Sequence, residues 1–396
     1  MEHRYEYLII GGGMTADAAV SAIRERDAEG RIGLIGAERE PPYERPPLSK
    51  ALWKGDKNVA SVDLDTRRHT LDMHLGRRAV ALDRAERVVR DDQGDTYRYE
   101  KLLLATGARA RTLPFSGERV VNFRTQDDYL RLRRFAVEGA HVAVVGGGFI
   151  GAELAASLTD AGCKVSMIFP GDAIGAGRFS DGLGDFLNEY YRERGVDLRP
   201  GRTVEDGRAD DDSVILKLSD GSELKVDAVA AGLGVEPETE LAEQSGLKVE
   251  NGIIVDARLR TADPAIWAAG DVANFPSLAL GHRRRVEHEN AAISMGHHAG
   301  CGMAGEDRAY TTQPFFYSDL FDLGYEAVGD LDARHLEVVE HWAEPYKRGV
   351  TYYMDGGRVC GVLLWNVWGQ TDAAAELIAA PGPYDGDNLR HRIPMG

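Results

Sequence analysis

The sequence predicts an α/β protein built around two doubly wound, Rossmann-like parallel sheets. Two segments, starting at Tyr7 and at Val142, have the same order of an apolar strand, three glycines and an alanine-rich helix. Each segment then runs into a second apolar strand, at Ile32 and at Lys164. Two parallel strands joined by a helix form a βαβ unit, the repeating element of such sheets. A chain of 396 residues is also long enough for two or three domains.

The composition indicates a folded, acidic protein. Lys and Arg number 47 against 64 Asp and Glu, and the net charge of −17 argues against a general nucleic-acid or anionic-membrane binder. No apolar run approaches the roughly 18 residues of a membrane span. The three cysteines, Cys163, Cys301 and Cys360, are odd in number and far apart, which implies no disulfide framework. We therefore expect a cytoplasmic protein.

The glycines at the two strand–helix junctions are typical of dinucleotide-binding sites. Glycine permits the tight turn and the close approach of a pyrophosphate, and the small third residue lets the helix pack on the strand. Free N–H groups at the start of each helix then bind the phosphate charge. The two patterns consist of Gly11, Gly13 and Ala16, and of Gly146, Gly148 and Gly151. Two such patterns in one chain predict two dinucleotide sites.

An acidic residue after the second strand of each βαβ unit is expected to bind the ribose. Glu38 follows the strand at Ile32, and Asp172 follows the strand at Lys164. A site for a 2′-phosphate would need an arginine here, and the nearest one, Arg178, lies six residues beyond Asp172. The sequence therefore favours NAD over NADP at the second site.

Between the two βαβ units lies the stretch PPYERPPLSK, Pro41 to Lys50, which we call the proline segment. Proline fixes φ and pushes the preceding residue toward extended geometry, so we expect a stiff, non-helical segment carrying Arg45 and Lys50. Taken alone, this stretch is also compatible with a surface loop whose charges are solvated.

Several motifs together resemble the FAD-dependent pyridine-nucleotide reductases. They are the two glycine patterns, KLLLATGARA at Lys101, AAGLGVEP at Ala230 and IWAAGDVANFP at Ile266. The stretch YERPPLSK is similar to the ferredoxin and rubredoxin reductases and to apoptosis-inducing factor. The later stretches FFYSDLFDLGYEAVGD from Phe315 and GVLLWN from Gly361 most resemble apoptosis-inducing factor.

The resemblance implies three domains. A discontinuous FAD domain comprises residues 1–115 and 245–310, an NAD domain comprises residues 116–244, and an α+β C-terminal interface domain comprises residues 311–396.

The resemblance also implies residues for each cofactor. Arg45 would contact FAD, Lys50 would lie beside the flavin ring, and Asp271 would bind the ribityl chain. The implied FAD residues are Gly11, Gly13, Ala16, Glu38, Arg45, Lys50, Thr106, Gly107, Arg124, Gly270, Asp271, His288, Glu289 and Tyr317. The implied NAD residues are Gly146, Gly148, Phe149, Gly151, Asp172, Gly234, Glu287 and Glu326. The chain departs from the family at Ala37 and Gly171, where acidic residues are usual.

The implied catalytic residues are Lys50, Glu153 and Phe149. Glu153 would pair with Lys50, and Phe149 would cover the nicotinamide site. Considered without the resemblance, Glu153 is also compatible with a solvated charge on a helix, and Phe149 with packing in the core. No histidine spacing predicts a metal site, since His297 and His298 are adjacent and point apart on a helix.

The function implied is hydride transfer from NADH to flavin N5, followed by electron transfer to an acceptor. Disulfide reductases of this larger group use a Cys-x4-Cys pair, which the sequence lacks. The acceptor is left open among ferredoxin, rubredoxin, quinone and oxygen, and Arg283–Arg285 is a candidate docking patch. The alternatives are an NADH-dependent ferredoxin or rubredoxin reductase, and an NADH-sensing flavoprotein that changes shape or forms a homodimer.

Overall fold

A computed structural model describes residues 1–395. The chain forms two compact units. Unit 1 consists of residues 1–45, 60–109 and 236–314, and unit 2 consists of residues 46–59, 110–235 and 315–396. Within residues 1–395 no helix is long and apolar enough to cross a membrane.

Unit 1 contains a mixed seven-stranded sheet. Its first βαβ unit pairs Ile10 with Ile35 on one side and with Leu104 on the other, all in parallel register. The strands in spatial order are Asp72–Leu75, Ile32–Gly36, Glu2–Ile10, Thr96–Leu104, Val88–Asp91 and Ala79–Asp83, and Ile266–Ala268 also pairs with Thr96–Leu104. Helices Met14–Arg24, Glu240–Gln244 and Glu289–Met303 and a small sheet of Ile253–Ile254, Ala273–Ser277 and His282–Arg284 complete the unit.

Unit 2 contains a parallel five-stranded sheet that carries the second βαβ unit. Its strands in spatial order are Asp197–Pro200, Lys164–Phe169, His141–Val145, Ala228–Ala231 and Val120–Asn122. Helices Gln126–Arg133, Phe149–Asp160 and Asp181–Glu193 accompany it, together with an antiparallel sheet of Val204–Ala209, Val214–Leu218 and Glu223–Val226.

The C-terminal part of unit 2 is an antiparallel five-stranded sheet followed by helices. In spatial order the strands are Phe315–Leu320, Leu323–Gly329, Arg358–Trp365, Arg348–Asp355 and Glu337–Glu344. Helices Thr371–Ala379 and Gly386–Leu389 follow. The predicted α/β class with an α+β C-terminal region is confirmed, whereas the three-domain division with its boundaries stays a prediction.

The proline segment differs in part from the prediction. Within the segment, Pro46–Ser49 forms a 3₁₀ turn, so the expectation of a wholly non-helical segment is wrong. A short helix, Ala51–Lys54, follows directly after the segment. The φ of about −65° that proline imposes is also the φ of a helical turn, and a first-turn proline loses no hydrogen bond.

Candidate functional site

Both glycine patterns lie between a parallel strand and a helix, as expected. Gly11 and Gly146 have φ values of +123° and +128°, and a Cβ on either would overlap a backbone carbonyl oxygen, that of Ala105 or that of Gly232. At Gly13 and Gly148, the N-cap residues, a Cβ would meet nothing within 4 Å. Each helix therefore begins beside open space with free N–H groups, which fits a bound pyrophosphate.

In unit 1 a cavity begins at the first glycine pattern. Its volume is about 160 Å³, and its lining includes Ile10, Gly11, Ile35, Ala37, Thr106 and Leu241. Beside Ala37, the Glu38 carboxylate accepts a hydrogen bond from Tyr43 (2.6 Å) and pairs with Arg45. The lining also includes the charged residues Arg77, Arg78, Glu238 and Glu240, so the walls are partly apolar and partly charged. Its position at the first glycine pattern fits the adenosine part of FAD.

The other predicted FAD residues of unit 1 lie on turns. The Thr106 hydroxyl donates to the Glu238 carbonyl at 2.7 Å, next to Gly107, whose φ is +69°. Gly270 and Asp271 form a 3₁₀ turn, and the Asp271 carbonyl accepts from Arg285 at 3.1 Å.

His288 is the N-cap residue of helix Glu289–Met303. Burial, together with the positive charge of Arg284, lowers the pKa of His288 to about 3. The imidazole is therefore neutral at physiological pH, and Glu289 adds a negative charge to the first turn of the helix.

In unit 2, Lys50 and Glu153 form the predicted ion pair, with Nζ and Oε1 3.1 Å apart. Their side chains are 11% and 5% exposed, so the pair is shielded from water. The Lys50 Nζ also lies 4.0 Å from the centroid of the Tyr317 ring. Ser49 and Ser318 donate hydrogen bonds to Glu153 at 2.6 and 2.7 Å.

The backbone around Lys50 is fixed by neighbouring residues of unit 2. The indole of Trp53 donates to the Leu48 carbonyl at 2.8 Å and stacks edge-on against Tyr129, with ring centroids 5.2 Å apart. The Ser157 hydroxyl donates to the Ser49 carbonyl at 2.7 Å. These contacts place Lys50 at low entropic cost.

Phe149 begins the helix after the second glycine pattern and is half-buried. Its ring centroid lies 5.0 Å from that of Phe316 and 4.6 Å from the guanidinium carbon of Arg178. Glu326 accepts from the Gly369 N–H at 2.9 Å. Phe149 therefore contacts both an aromatic ring and a cation and is only half-buried.

The predicted FAD residues do not all lie in one unit, and neither do the predicted NAD residues. Lys50, Arg124 and Tyr317 lie in unit 2, whereas the other predicted FAD residues lie in unit 1. Glu287 lies in unit 1, paired with Arg285 at 2.8 Å, whereas the other predicted NAD residues lie in unit 2.

The remaining nucleotide candidates lie outside helices and strands. Asp172 is exposed, and its backbone carbonyl accepts from Asn188 at 2.9 Å. Gly234 has a φ of +83°. Arg124 precedes helix Gln126–Arg133, and its N–H donates to Asp128 at 3.2 Å.

The sequence analysis missed the two serines that bind Glu153. Ser49 could have been noticed as the neighbour of Lys50, but Ser318 lies 165 residues from Glu153 and no spacing links them. The candidate docking patch also has an internal role, since Arg283 donates to the carbonyls of Val255 and Asn274.

The described residues also bear on other redox chemistry. Among residues 1–395, the three cysteines are free, and no cluster of three or more His, Cys, Asp or Glu side chains could hold a metal ion.

Known proteins resemble the chain over nearly its whole length. It is 36% identical to the ferredoxin–NAD(+) reductase component of the anthranilate 1,2-dioxygenase system of Burkholderia cepacia over 392 residues, covering 97% of this chain and 96% of the relative. It is 32% identical to apoptosis-inducing factor 1 of Dictyostelium discoideum, covering 98% of this chain and 81% of that protein.

The fold resembles solved structures equally well. The crystal structure of the covalent putidaredoxin reductase–putidaredoxin complex matches with a TM-score of 0.90 and 28% identity, covering 97% of this chain and 95% of that one. The family model described as pyridine nucleotide-disulphide oxidoreductase matches residues 5–296. The chain therefore belongs to the pyridine nucleotide-disulphide oxidoreductase family, within which it is similar both to ferredoxin reductases and to apoptosis-inducing factor.

Proposed function

We propose that this chain oxidises NADH and delivers the electrons to a ferredoxin-type iron–sulfur protein. It is an FAD-dependent NAD(P)H oxidoreductase, and its cofactors are FAD and NAD(H). The observation that carries the proposal is the buried Lys50–Glu153 pair in a chain whose sequence has no Cys-x4-Cys pair. Without a dithiol relay, electrons leave the flavin directly, which is how a reductase of one-electron carriers must work.

Bound FAD supplies a ring that takes a hydride from the nicotinamide and releases electrons one at a time. The chain supplies binding and charge. The helix starting at Met14 binds the FAD pyrophosphate, and Asp271 accepts hydrogen bonds from ribityl hydroxyls. The helix starting at Phe149 binds the NADH pyrophosphate, and Phe149 covers the nicotinamide site. Lys50 stabilises negative charge on the ring, and Glu153 moderates that effect.

We expect NADH to be preferred to NADPH. Asp172 is the acidic residue after the second strand, and its charge would repel a 2′-phosphate. Arg178, the alternative phosphate ligand, lies with its guanidinium over the Phe149 ring. A guanidinium that contacts this ring is not directed to the ribose.

A second function is supported by the 32% identity to apoptosis-inducing factor 1 of Dictyostelium discoideum. In that case the chain would sense NADH, hold the reduced flavin and change its shape or form a homodimer. The cytoplasmic location predicted from the sequence applies to either function and stays a prediction.

One anaerobic experiment tests these proposals. Purified, FAD-loaded protein is mixed with NADH or with NADPH in a stopped-flow instrument, and ferredoxin, rubredoxin, a quinone or oxygen is then added. We expect NADH to reduce the flavin faster, and ferredoxin or rubredoxin to reoxidise it within a turnover. Equal or faster reduction by NADPH would contradict the nucleotide preference. A long-lived charge-transfer band with a changed elution volume, and no response to the carriers, would favour the sensing function instead.

A further inference from the structure

The Glu153 carboxylate receives three donors although it lies inside the protein. Ser49 donates to Oε2 at 2.6 Å, Ser318 donates to Oε1 at 2.7 Å, and Lys50 approaches Oε1 at 3.1 Å. The side chain of Glu153 is only 5% exposed. A buried carboxylate remains ionised only when such donors replace the lost water. Lys50 approaches one oxygen of the carboxylate, so the two hydroxyls complete the set.

The donors come from distant parts of the sequence. Ser49 precedes Lys50, and Ser318 lies on strand Phe315–Leu320, 165 residues beyond Glu153. The residue before Ser318, Tyr317, places its ring 4.0 Å from the Lys50 Nζ. Two consecutive residues of one C-terminal strand therefore contact both members of the ion pair.

We propose that Ser318, assisted by Ser49, is a positioning residue that holds the Glu153 carboxylate opposite Lys50 and so adjusts the reduction potential of bound FAD. The inference rests on the proposed function, since it takes the pair to act on the flavin. Ser318 itself need not touch the cofactor, because its effect is exerted through Glu153.

The expected change follows from charge balance. Without the Ser318 donor, the Glu153 carboxylate is held less firmly against the Lys50 ammonium. The Lys50 charge is then no longer balanced, and reduction of the flavin is favoured. Two more titratable groups face Glu153, Tyr191 and Tyr325, and burial together with the Glu153 charge raises the pKa of each. Both phenols stay neutral across the neutral range, so they do not add a proton change of their own.

The test is a spectroelectrochemical titration of the FAD-loaded Ser318→Ala variant at several pH values. We expect a higher midpoint potential than in the wild type near neutral pH. Ser318→Thr, which keeps the hydroxyl, should restore the wild-type potential.

Two comparisons separate positioning from a loss of packing. Ser166→Ala also removes a buried hydroxyl that donates to a carboxylate, that of Asp197 at 2.8 Å, but this carboxylate belongs to no predicted cofactor site, so the potential should not change. In a Glu153→Gln background, Ser318→Ala should have no effect on the potential. Ser49→Ala provides a second route to the same result if Ser318→Ala does not fold.

The inference is overturned if Ser318→Ala keeps the wild-type potential. It is also overturned if the shift persists in the Glu153→Gln background, or if Ser166→Ala shifts the potential as much. Reduction by electrode and mediators does not require NADH. A wild-type protein that binds FAD but is not reduced by NADH would therefore refute the proposed function and leave this test intact.

Discussion

Lys50 is a nearly buried cation that contacts a carboxylate and an aromatic ring. The Glu153 carboxylate lies 3.1 Å from its Nζ, and the face of the Tyr317 ring lies 4.0 Å away. A carboxylate and an aromatic face are both favourable neighbours for an ammonium group, which explains how Lys50 can be only 9% exposed.

Replacing Lys50 by alanine should lower the reduction potential of bound FAD. The cation that favours the reduced form is removed, whereas the negative charge of Glu153 remains. We expect a decrease on the order of 30 mV or more, equivalent to about 1.4 kcal/mol for a two-electron couple. Potentiometric titration measures this decrease. The matched control is Lys54→Ala, because Lys54 is an exposed lysine of the next helix. Equal potentials for both variants would contradict the placement of Lys50 beside the flavin.

For a single residue, a contact could be predicted from the sequence only where the residue belongs to a recognisable motif. The Lys50–Glu153 contact followed from the resemblance of YERPPLSK and GAELA to known reductases, and the structure contains it. Ser318 could not be found in this way, because a buried hydroxyl has no spacing or composition that distinguishes it from other serines. The roles of these residues toward the cofactors stay predictions.

The start of helix Phe149–Asp160 shows that two glycines of one motif meet different demands. A Cβ at Gly151 would overlap the backbone of Gly146, whereas one at Gly148 would meet nothing within 4 Å. Gly148 also has φ −87° and ψ −164°, which alanine adopts without strain. Gly151 therefore serves packing, and Gly148 leaves room for a ligand.

The variants Gly151→Ala and Gly148→Ala should consequently fail in different ways. Gly151→Ala should lower the free energy of unfolding by roughly 1–3 kcal/mol, because the added methyl forces the helix from the strand. Gly148→Ala should unfold as the wild type does but bind NADH on the order of tenfold more weakly, because the methyl occupies the pyrophosphate space. Thermal denaturation and NADH titration measure the two effects. Unchanged NADH affinity in Gly148→Ala would contradict this division of roles.

The strands around the glycine patterns were predictable because apolar runs and glycines recur at both sites. The structure has them at Ile32–Gly36 and Lys164–Phe169, as expected. The helical turn Pro46–Ser49 was not predicted, because proline is compatible with extended and helical backbone alike. The contacts of Trp53 and Tyr129 that accompany this turn involve residues far apart in sequence and leave no local signal.

For the molecule as a whole, resistance to acid depends on carboxylates such as Asp91. Its side chain is fully buried and accepts from Arg77 (2.6 Å), from Tyr97 (2.7 Å) and from the N–H groups of Gln93 and Asp95. Burial alone would raise the pKa of Asp91, but these donors outweigh it and lower the pKa to about 2.

Because the folded pKa of Asp91 is below its ordinary value of 3.8, the ionised form stabilises the folded state. That stabilisation, about 2 kcal/mol, is complete above the unfolded pKa and is lost as the pH falls toward the folded one. We expect Asp91→Asn to be less stable than the wild type at neutral pH, with the difference shrinking between about pH 4 and pH 2. Chemical denaturation at several pH values measures this. Glu100→Gln, an exposed carboxylate of a neighbouring strand, should show no such dependence, and a difference for Asp91→Asn that is constant with pH would contradict the assignment.

The chain passes between the two units five times, because each unit is assembled from three separate stretches of sequence. No single cut in the gene therefore yields a fragment that encodes one unit alone. A truncated chain ending at Pro314 keeps all of unit 1 but loses Tyr317 and Ser318, and with them two neighbours of the Lys50–Glu153 pair. Replacing unit 2 by that of a relative would require new junctions at five positions in the chain. Lys50 would be replaced together with unit 2, although the stretches of sequence on both sides of residues 46–59 belong to unit 1.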